Sequence, residues 1–284
     1  MRLKPSLNLA RACLAALTVF FIAAAVFAQG DRKQAAAAQT TQPQPAAKED
    51  EKAAEVVRHA VEALGGGEYL GVKTMVSRGH FTPFKDGAAT LPTAFTDYVV
   101  MPDRERTEFH GAGVKTIQIN TGDTGWIADL MSKKMLDLKP VQAEEFRTSI
   151  RTSVDNLLRG WWRGEGAALS YVGRREAGLA RRNEVVRLTY PDGFEAEYEF
   201  DSREWLPSKV KYKRANSEGE QVEEEDRFAQ IISIGAVRFP FVVDHFTAGV
   251  QASRVNYDSV EFNRPVPDSL FARPSDIKAV KFTQ

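Results

Sequence analysis

Cysteine is almost absent from this chain of 284 residues. The single one, Cys13, sits inside an apolar run near the start. Everything after it is therefore without disulfides, thiolate nucleophiles and cysteine-based zinc or iron–sulfur sites. A domain of this size is stable without disulfides. A surplus of one charge is missing too: 38 basic residues meet 38 acidic ones. That balance excludes nucleic acid as the expected partner, because nucleic-acid binders usually carry a basic excess. Histidine is scarce, with only His59, His80, His110 and His245. None has a second ligand at zinc-like spacing. The stretch His59-Ala60-Val61-Glu62-Ala63 places an alanine where a metal helix needs its second histidine. Each is read as a structural or solvated histidine, and no metal or cofactor is expected. There is no G-x-S-x-G nucleophile elbow, and no other constellation supports an enzyme. Finally, no apolar run reaches membrane length. The longest, Cys13 to Phe27, has about 15 residues, where a span needs roughly 20.

That short run has a different reading. Arg2, Lys4 and Arg11 precede or open it, and Val26-Phe27-Ala28 closes it with small side chains. A positive start, an apolar centre and a small-residue junction make a cleavable secretory signal over residues 1–28. The protein is expected in the periplasm. Cys13 lies before most of the apolar core, not just after it, so no lipid anchor is expected. Residues 29–48 are rich in Ala, Gln, Thr and Pro. They offer too little apolar surface to offset the entropy of ordering, so they read as a flexible linker. One folded domain is expected over 49–284.

Within that domain, Val57, Val61 and Leu64 recur at helical spacing. Asp50 stands at the start and Gly65-Gly66-Gly67 at the end. The glycine run has no Lys-Ser/Thr after it and no strand before it, so it reads as a helix stop, not a phosphate loop. From Val72 onward the period changes to two. Phe194, Ala196, Tyr198 and Phe200 alternate with Glu195, Glu197 and Glu199. Val210 and Tyr212 alternate with Lys209, Lys211 and Lys213, so ion pairs would link these strands if they are neighbours. Val186, Leu188 and Tyr190 precede a Pro191-Asp192-Gly193 turn. Further strand-like runs cover 72–81, 93–101, 104–110, 114–120, 124–130, 134–138, 169–174, 227–234, 241–247 and 253–262. A second helix is expected over 141–162, where Phe146, Ile150, Val154, Leu157 and Trp161 form one stripe after Pro140. A long antiparallel series with few helices predicts a mainly β (α+β) domain, a curved sheet or barrel with helices on one side.

Three charged groups are read as solvent-facing. Glu195 and Glu197 are taken as the wet face of their strand. Glu223-Glu224-Glu225-Asp226 is taken as a solvated turn or edge, because adjacent side chains on a strand cannot converge. Arg174, Arg175, Arg181 and Arg182 bracket a probable loop and read as a basic hairpin tip.

Several stretches resemble the LolA/LolB superfamily of bacterial lipoprotein carriers. Pro102-Asp103-Arg104-Glu105-Arg106-Thr107-Glu108-Phe109, followed by Thr121-Gly122-Asp123-Thr124-Gly125-Trp126-Ile127-Ala128-Asp129, looks like one strand pair of that family. Asn256 to Asn263 followed by Val266-Pro267-Asp268-Ser269-Leu270-Phe271 resembles its closing strand and turn. Glu199-Phe200-Asp201 through Leu206-Pro207-Ser208-Lys209 resembles a hairpin between them. The resemblance implies an unclosed antiparallel β-barrel of about eleven strands with helices covering its open side, holding acyl chains inside. It departs from the family where Met101, not a basic residue, precedes Pro102. Arg104 or Arg106 is then the candidate latch.

The expected function is a soluble periplasmic carrier for lipidated proteins or other lipids, serving outer-membrane biogenesis without catalysis. A monomer is expected. The candidate cavity residues are Ile117, Ile119, Trp126, Leu136, Leu138, Val186, Leu188, Tyr190, Phe194, Tyr198 and Phe200. Ile150, Leu157 and Trp161 would form the lid. Each of these reads equally well as ordinary core packing, because an apolar face looks the same in sequence whether or not it encloses a void. The alternative is an envelope sensor that uses the same fold to bind a membrane protein partner through its charged loops.

Overall fold

A computed structural model describes residues 49–216 and 219–283. The predicted signal and linker, with Cys13, lie outside the described residues. The first helix, α1 (Glu51–Leu64), starts where Asp50 Oδ1 accepts the backbone N–H groups of Lys52 and Ala53 at 2.9 and 3.1 Å. It ends at Gly65, whose φ of +124° belongs to glycine. A Cβ there would also lie 2.4 Å from the carbonyl oxygen of Ala236. Ala53, Val56, Ala60 and Leu64 are its buried stripe. A single turn, α2 (Gly67–Leu70), follows.

Fourteen strands follow among the described residues, against the eleven or so that the family resemblance implied. They are β1 (Thr74–Lys85), β2 (Ala88–Ala89), β3 (Thr93–Val100), β4 (Arg104–Gly111), β5 (Val114–Thr121), β6 (Thr124–Asp129) and β7 (Lys134–Asp137). Helices α3 (Pro140–Thr152) and α4 (Val154–Arg159) and a 3-10 turn (Trp161–Glu165) interrupt the series. It resumes with β8 (Ala168–Glu176), β9 (Arg182–Thr189), β10 (Glu195–Asp201), β11 (Pro207–Ala215), β12 (Gln221–Ile234), β13 (Val237–Thr247) and β14 (Val250–Phe262). No helix among the described residues is long and apolar enough to cross a membrane.

All the strands belong to one antiparallel sheet. Its order is β7-β6-β5-β4-β3-β1-β14-β13-β12-β11-β10-β9-β8, with β2 pairing β1 to the side. The sheet does not close, and its two edges, β7 and β8, are consecutive in sequence. The chain between them must cross the open side. Topology alone therefore lays α3 and α4 over the mouth.

The expected single helix over 141–162 is broken. Ser153 adopts an extended ψ of 145°, ends α3, and accepts the Asn156 N–H at 3.0 Å to start α4. Hydroxyls of Ser149, Thr152 and Ser153 all bond back to carbonyls in the turn before them. Such side chains compete with the helix backbone and favour a cap over an interior. Gly160, in the left-handed region, ends α4.

Register assigns side chains to faces, because directly paired residues share a side. Val186, Tyr198, Val210, Asp226, His245 and Ser253 lie across from one another from β9 to β14. The same inner face continues through Val255, Phe81 and Thr93, and through the row Ser77, Asp97, Thr107 and Gln118. Gly79, at a bulge in β1, lets this face bend: a Cβ there would lie 2.1 Å from the Asn256 carbonyl oxygen and 2.9 Å from the Phe95 ring. The outer face carries Tyr98, Arg106, Ile119 and Trp126.

Two apolar clusters fill the inner side. One joins α1, α4 and Trp162 to Val186, Leu188, Tyr190, Tyr198, Phe200 and Val210. The other gathers Met75, Phe95, Phe109, Phe239 and Tyr257. A third lies on the outer face, where Ile117, Ile119 and Trp126 pack under Phe271, Val280 and Phe282 of the C-terminal segment.

Two expectations about charge are corrected. Glu223 to Asp226 is no solvated turn. It lies inside β12, with Glu224 and Asp226 fully buried on the inner face and Glu225 buried on the outer one. The acidic face of β10 is not simply wet either. Glu195 is exposed, but Arg175 bridges Glu197 and Glu199 at 2.8 and 2.7 Å, and Glu199 is buried. The β10–β11 pairing sets Glu197 opposite Lys211, as the sequence suggested. Lys211 nevertheless pairs with Glu223 and Glu225 of β12, while Arg175 and Arg187 take Glu197.

Candidate functional site

The inner face beneath α3 and α4 is the place where the fold can hold something. The predicted residues divide over three locations. Val186, Leu188, Tyr190, Tyr198 and Phe200 are buried together on the inner face, with Phe194 at their margin. The predicted lid residue Leu157 packs into this group, and Ile150 packs against the second inner cluster. Trp161 lines a small crevice, described below. Ile117, Ile119 and Trp126 lie on the other side of the sheet. There the Trp126 indole N–H donates to the Phe271 carbonyl at 3.2 Å. Leu136 is 56% exposed on edge strand β7, while Leu138 reaches toward Gly125 on the inner face. The sequence shows period-two faces but not which parity faces inward in each strand, so it merged two surfaces into one.

The two candidate latch arginines hold a different element. Both occupy even positions of β4, which point outward. Arg104 pairs with Asp268 at 2.6 Å and lies over the Phe271 ring. Arg106 is buried, binds Glu108, and donates to the carbonyls of Leu270 and Lys281, both at 2.9 Å. They fasten the C-terminal segment to the back of the sheet instead of fastening a lid.

The lid has its own anchors. Arg147 of α3 reaches Asp123 in the β5–β6 turn at 2.5 Å. One helical turn on, Arg151 reaches Asp192 in the β9–β10 turn at 2.6 Å and lies over the Tyr190 ring. Helix α3 thus ties together two turns from opposite wings of the sheet. The Arg147 pair is exposed and the Arg151 pair partly so, and each contributes about 1 kcal/mol or less. Helix α4 is held more firmly. Arg159 bonds Asp155 and the carbonyls of Tyr69, Leu70 and Val72, and the Tyr69 hydroxyl donates to Asp155 at 2.8 Å. The Tyr198 hydroxyl donates to the Arg151 carbonyl where α3 approaches its end.

Between the break in α3–α4 and the sheet lies a crevice lined by Met75, Val99, Met101, Pro102, Ser153, Asp155 and Trp161, with a volume of about 10 Å³. That is close to the room of one water. A ligand pocket of drug size holds some 300–1,000 Å³. This crevice is therefore too small to hold an acyl chain in this conformation.

Two polar groups interrupt its apolar lining. His245 is buried between Asp226, 2.7 Å from Nδ1, and Glu224, 3.1 Å from Nε2. Burial opposes its charge, but the two carboxylates prevail and push it up to about 9. Thr247 and Arg214 complete the partners of Glu224. Asp226, fully buried, is raised by that burial. The second group contains Ser77, Asp97, Glu105 and Asn120, all buried. Thr107 donates to Asp97 at 2.9 Å, and Asn120 donates to Glu105 at 3.2 Å. Burial lifts both acids well above their ordinary range, and the charge of Asp97 lifts Glu105 further. No group of three or more metal-ligating His, Cys, Asp or Glu side chains occurs among the described residues. The sequence singled out His245 and Glu223–Asp226 separately without joining them, and it did not show the second group, because single polar residues at inward positions carry no motif.

No protein-family model matches the chain, and a search of curated proteins returns no match. Solved structures do match. A LolA superfamily protein from Nitrosomonas europaea superimposes with a TM-score of 0.53 at 13% identity. The match covers 78% of this chain and 97% of that one. A DUF1329 family protein from Desulfovibrio piger gives a TM-score of 0.56 at 11% identity, with the same coverages. The fold is LolA-like: one large antiparallel sheet, left open, with helices across its mouth.

Proposed function

We propose that this is an exported, soluble carrier or binding protein that holds the acyl chains of lipids or lipidated proteins, without catalysis. The chains would lie between the inner face of the sheet and helices α3 and α4. One observation supports this reading above the others. The segment over the mouth rests on apolar side chains, yet the side chains of α3 reach the wings through ion pairs open to solvent at least in part. Such a cover is weakly held against sliding or lifting and strongly held at its α4 root. Loading a chain into the crevice then requires α3 to move. Burying acyl methylenes contributes about 0.8 kcal/mol each, enough for a single chain to drive that displacement.

Native mass spectrometry of the protein purified from its own envelope tests this directly. A bound mass that matches a lipid or lipoprotein, with uptake of a fluorescent acyl probe by the emptied protein, is the expected result. Repeated lipid-free preparations that also refuse the probe would sink the reading. Capture of one stoichiometric membrane protein with no lipid would favour a sensor in its place.

A further inference from the structure

The inner face holds a feature that a purely apolar carrier does not need. Ser77, Asp97 and Thr107 stand directly opposite one another on β1, β3 and β4, followed by Gln118 on β5. One step along the strands, Glu105 faces Asn120, and the row continues to Val99 and Met75. Every side chain named here except Gln118 is buried, and none carries a positive charge. Five oxygen atoms in this patch have no hydrogen-bond partner: Ser77 Oγ, Asp97 Oδ2, Glu105 Oε1, Gln118 Oε1 and Asn120 Oδ1. Ser77 and Asn120 are nearly inaccessible, at 0% and 2% exposure, so their idle oxygens are not turned to bulk water.

Buried polar atoms are normally paired, and an unpaired one costs about 1–3 kcal/mol. Five on one patch, two of them on carboxyl groups that a cation would help to ionise, leave hydrogen-bonding capacity unused. The neighbouring Met75 and Val99 line the crevice beneath the α3–α4 break. The acceptor patch thus lies beside the apolar space that opening of α3 would enlarge. Its chemistry differs from that of the His245 group, where a cation already sits between the acids.

We propose that the Ser77–Asp97–Glu105–Asn120 patch is a headgroup subsite that accepts a positively charged, N–H-donating group of an amphiphilic ligand. An ammonium group presents three donors and no acceptor. It would satisfy the two carboxyl groups and one neutral oxygen while its hydrocarbon tail runs along Met75 and Val99. A calcium site fits less well: calcium takes six to eight oxygens, and these are spread over four strands. The proposal rests on the carrier reading, because the ligand must enter beneath α3.

The test compares three probes of equal chain length by calorimetry with the purified protein: dodecylamine, dodecanol and dodecanoate. The amine is expected to bind about tenfold tighter than the other two, or more, as a charged hydrogen bond contributes. Asp97→Asn and Glu105→Gln should each erase that preference while leaving dodecanol binding unchanged. Both replacements are nearly isosteric. Ser77→Ala serves as a milder third variant, expected to weaken amine binding a few-fold. Equal binding of all three probes overturns the subsite but leaves the carrier reading standing. Binding of none overturns both. Loss of dodecanol binding in the Asn and Gln variants would mean that the patch only shapes the fold, and also overturns the subsite.

Discussion

Asp97 and Glu105 illustrate how a single side chain can cost stability in the service of a site. Each carboxyl is buried, and each is raised well above its ordinary value, first by burial and in Glu105 also by Asp97. A raised acid binds its proton more tightly folded than unfolded. Stability is therefore greatest below the unfolded value near 4 and falls as pH rises through the folded one. Asp97→Asn should accordingly raise the urea midpoint at pH 7 by about 1 kcal/mol of stability. The gain should shrink as the medium is acidified toward pH 4. A variant less stable at pH 7 would contradict this. His245 has the same sign for a different reason. Its pKa, pushed up to about 9 against burial by Asp226 and Glu224, means that its stabilisation is whole below about 6.5 and is lost as pH rises through 9. The raised Asp226 works in the same direction. His245→Gln should cost about 3 kcal/mol, since it leaves buried acids without their cation. It should also flatten the fall in melting temperature between pH 6.5 and 9. An unchanged pH slope would remove His245 from that role. Neither group was legible in the sequence as a group. In Glu223-Glu224-Glu225-Asp226 both parities carry acids, so alternation had no contrast. Only the pairing with β11 and β13 shows which two face inward.

At the scale of the element, α3 and α4 behave differently although they read as one stripe. Phe146, Val154 and Leu157 of the stripe were legible because they are buried, whereas Ile150 and Trp161 are only half-buried and Trp162 takes the place in the core. The break was not legible, because a serine inside an amphipathic run is neutral until its hydroxyl finds a partner. Ser153 found two, the Ile150 carbonyl and the Asn156 N–H. The result is a joint between a root, α4, fixed through Arg159, and an arm, α3, fixed through Arg147 and Arg151. Replacing both Arg147 and Arg151 with alanine removes four ion pairs, to Asp123, Glu144, Glu165 and Asp192, each worth about 1 kcal/mol or less. We expect a small change in global melting temperature and several-fold faster uptake of the acyl probe in stopped flow. Added salt should quicken the parent protein in the same way and the double variant hardly at all. Uptake at the parent's rate in the double variant would show that these pairs are not the restraint. On the opposite face, Arg104 and Arg106 of β4 hold the C-terminal segment. Arg106→Ala should release that segment from Ile119 and Trp126, read as a rise in Trp exposure with no change in probe uptake.

For the whole molecule, one topological fact governs the rest. The period-two runs made the strands legible almost one by one, and two amphipathic stretches placed the helices. Strand order was not legible, because each strand's partners are chosen by the entire sheet. That order puts β7 and β8 on opposite edges, and it turns an ordinary connection into a strap across an open mouth. Order also separates the two apolar surfaces that the sequence ran together. The inner one faces the strap, and the outer one is sealed by residues after Phe262. If the strap is the door, fixing it must stop entry without harming the sheet. The chain has no cysteine after Cys13, so an introduced pair of thiols faces no competitor in the folded domain. Arg151→Cys with Asp192→Cys, replacing an existing contact of 2.6 Å, can be joined by a short bismaleimide and freed again in the unlinked control. The linked protein should melt at or above the temperature of the control, because a cross-link removes freedom from the unfolded chain. It should also take up almost no acyl probe, while the unlinked pair takes it up freely. Uptake by the linked protein at the control rate would place the entrance elsewhere, and α3 would then be a fixed wall of the fold.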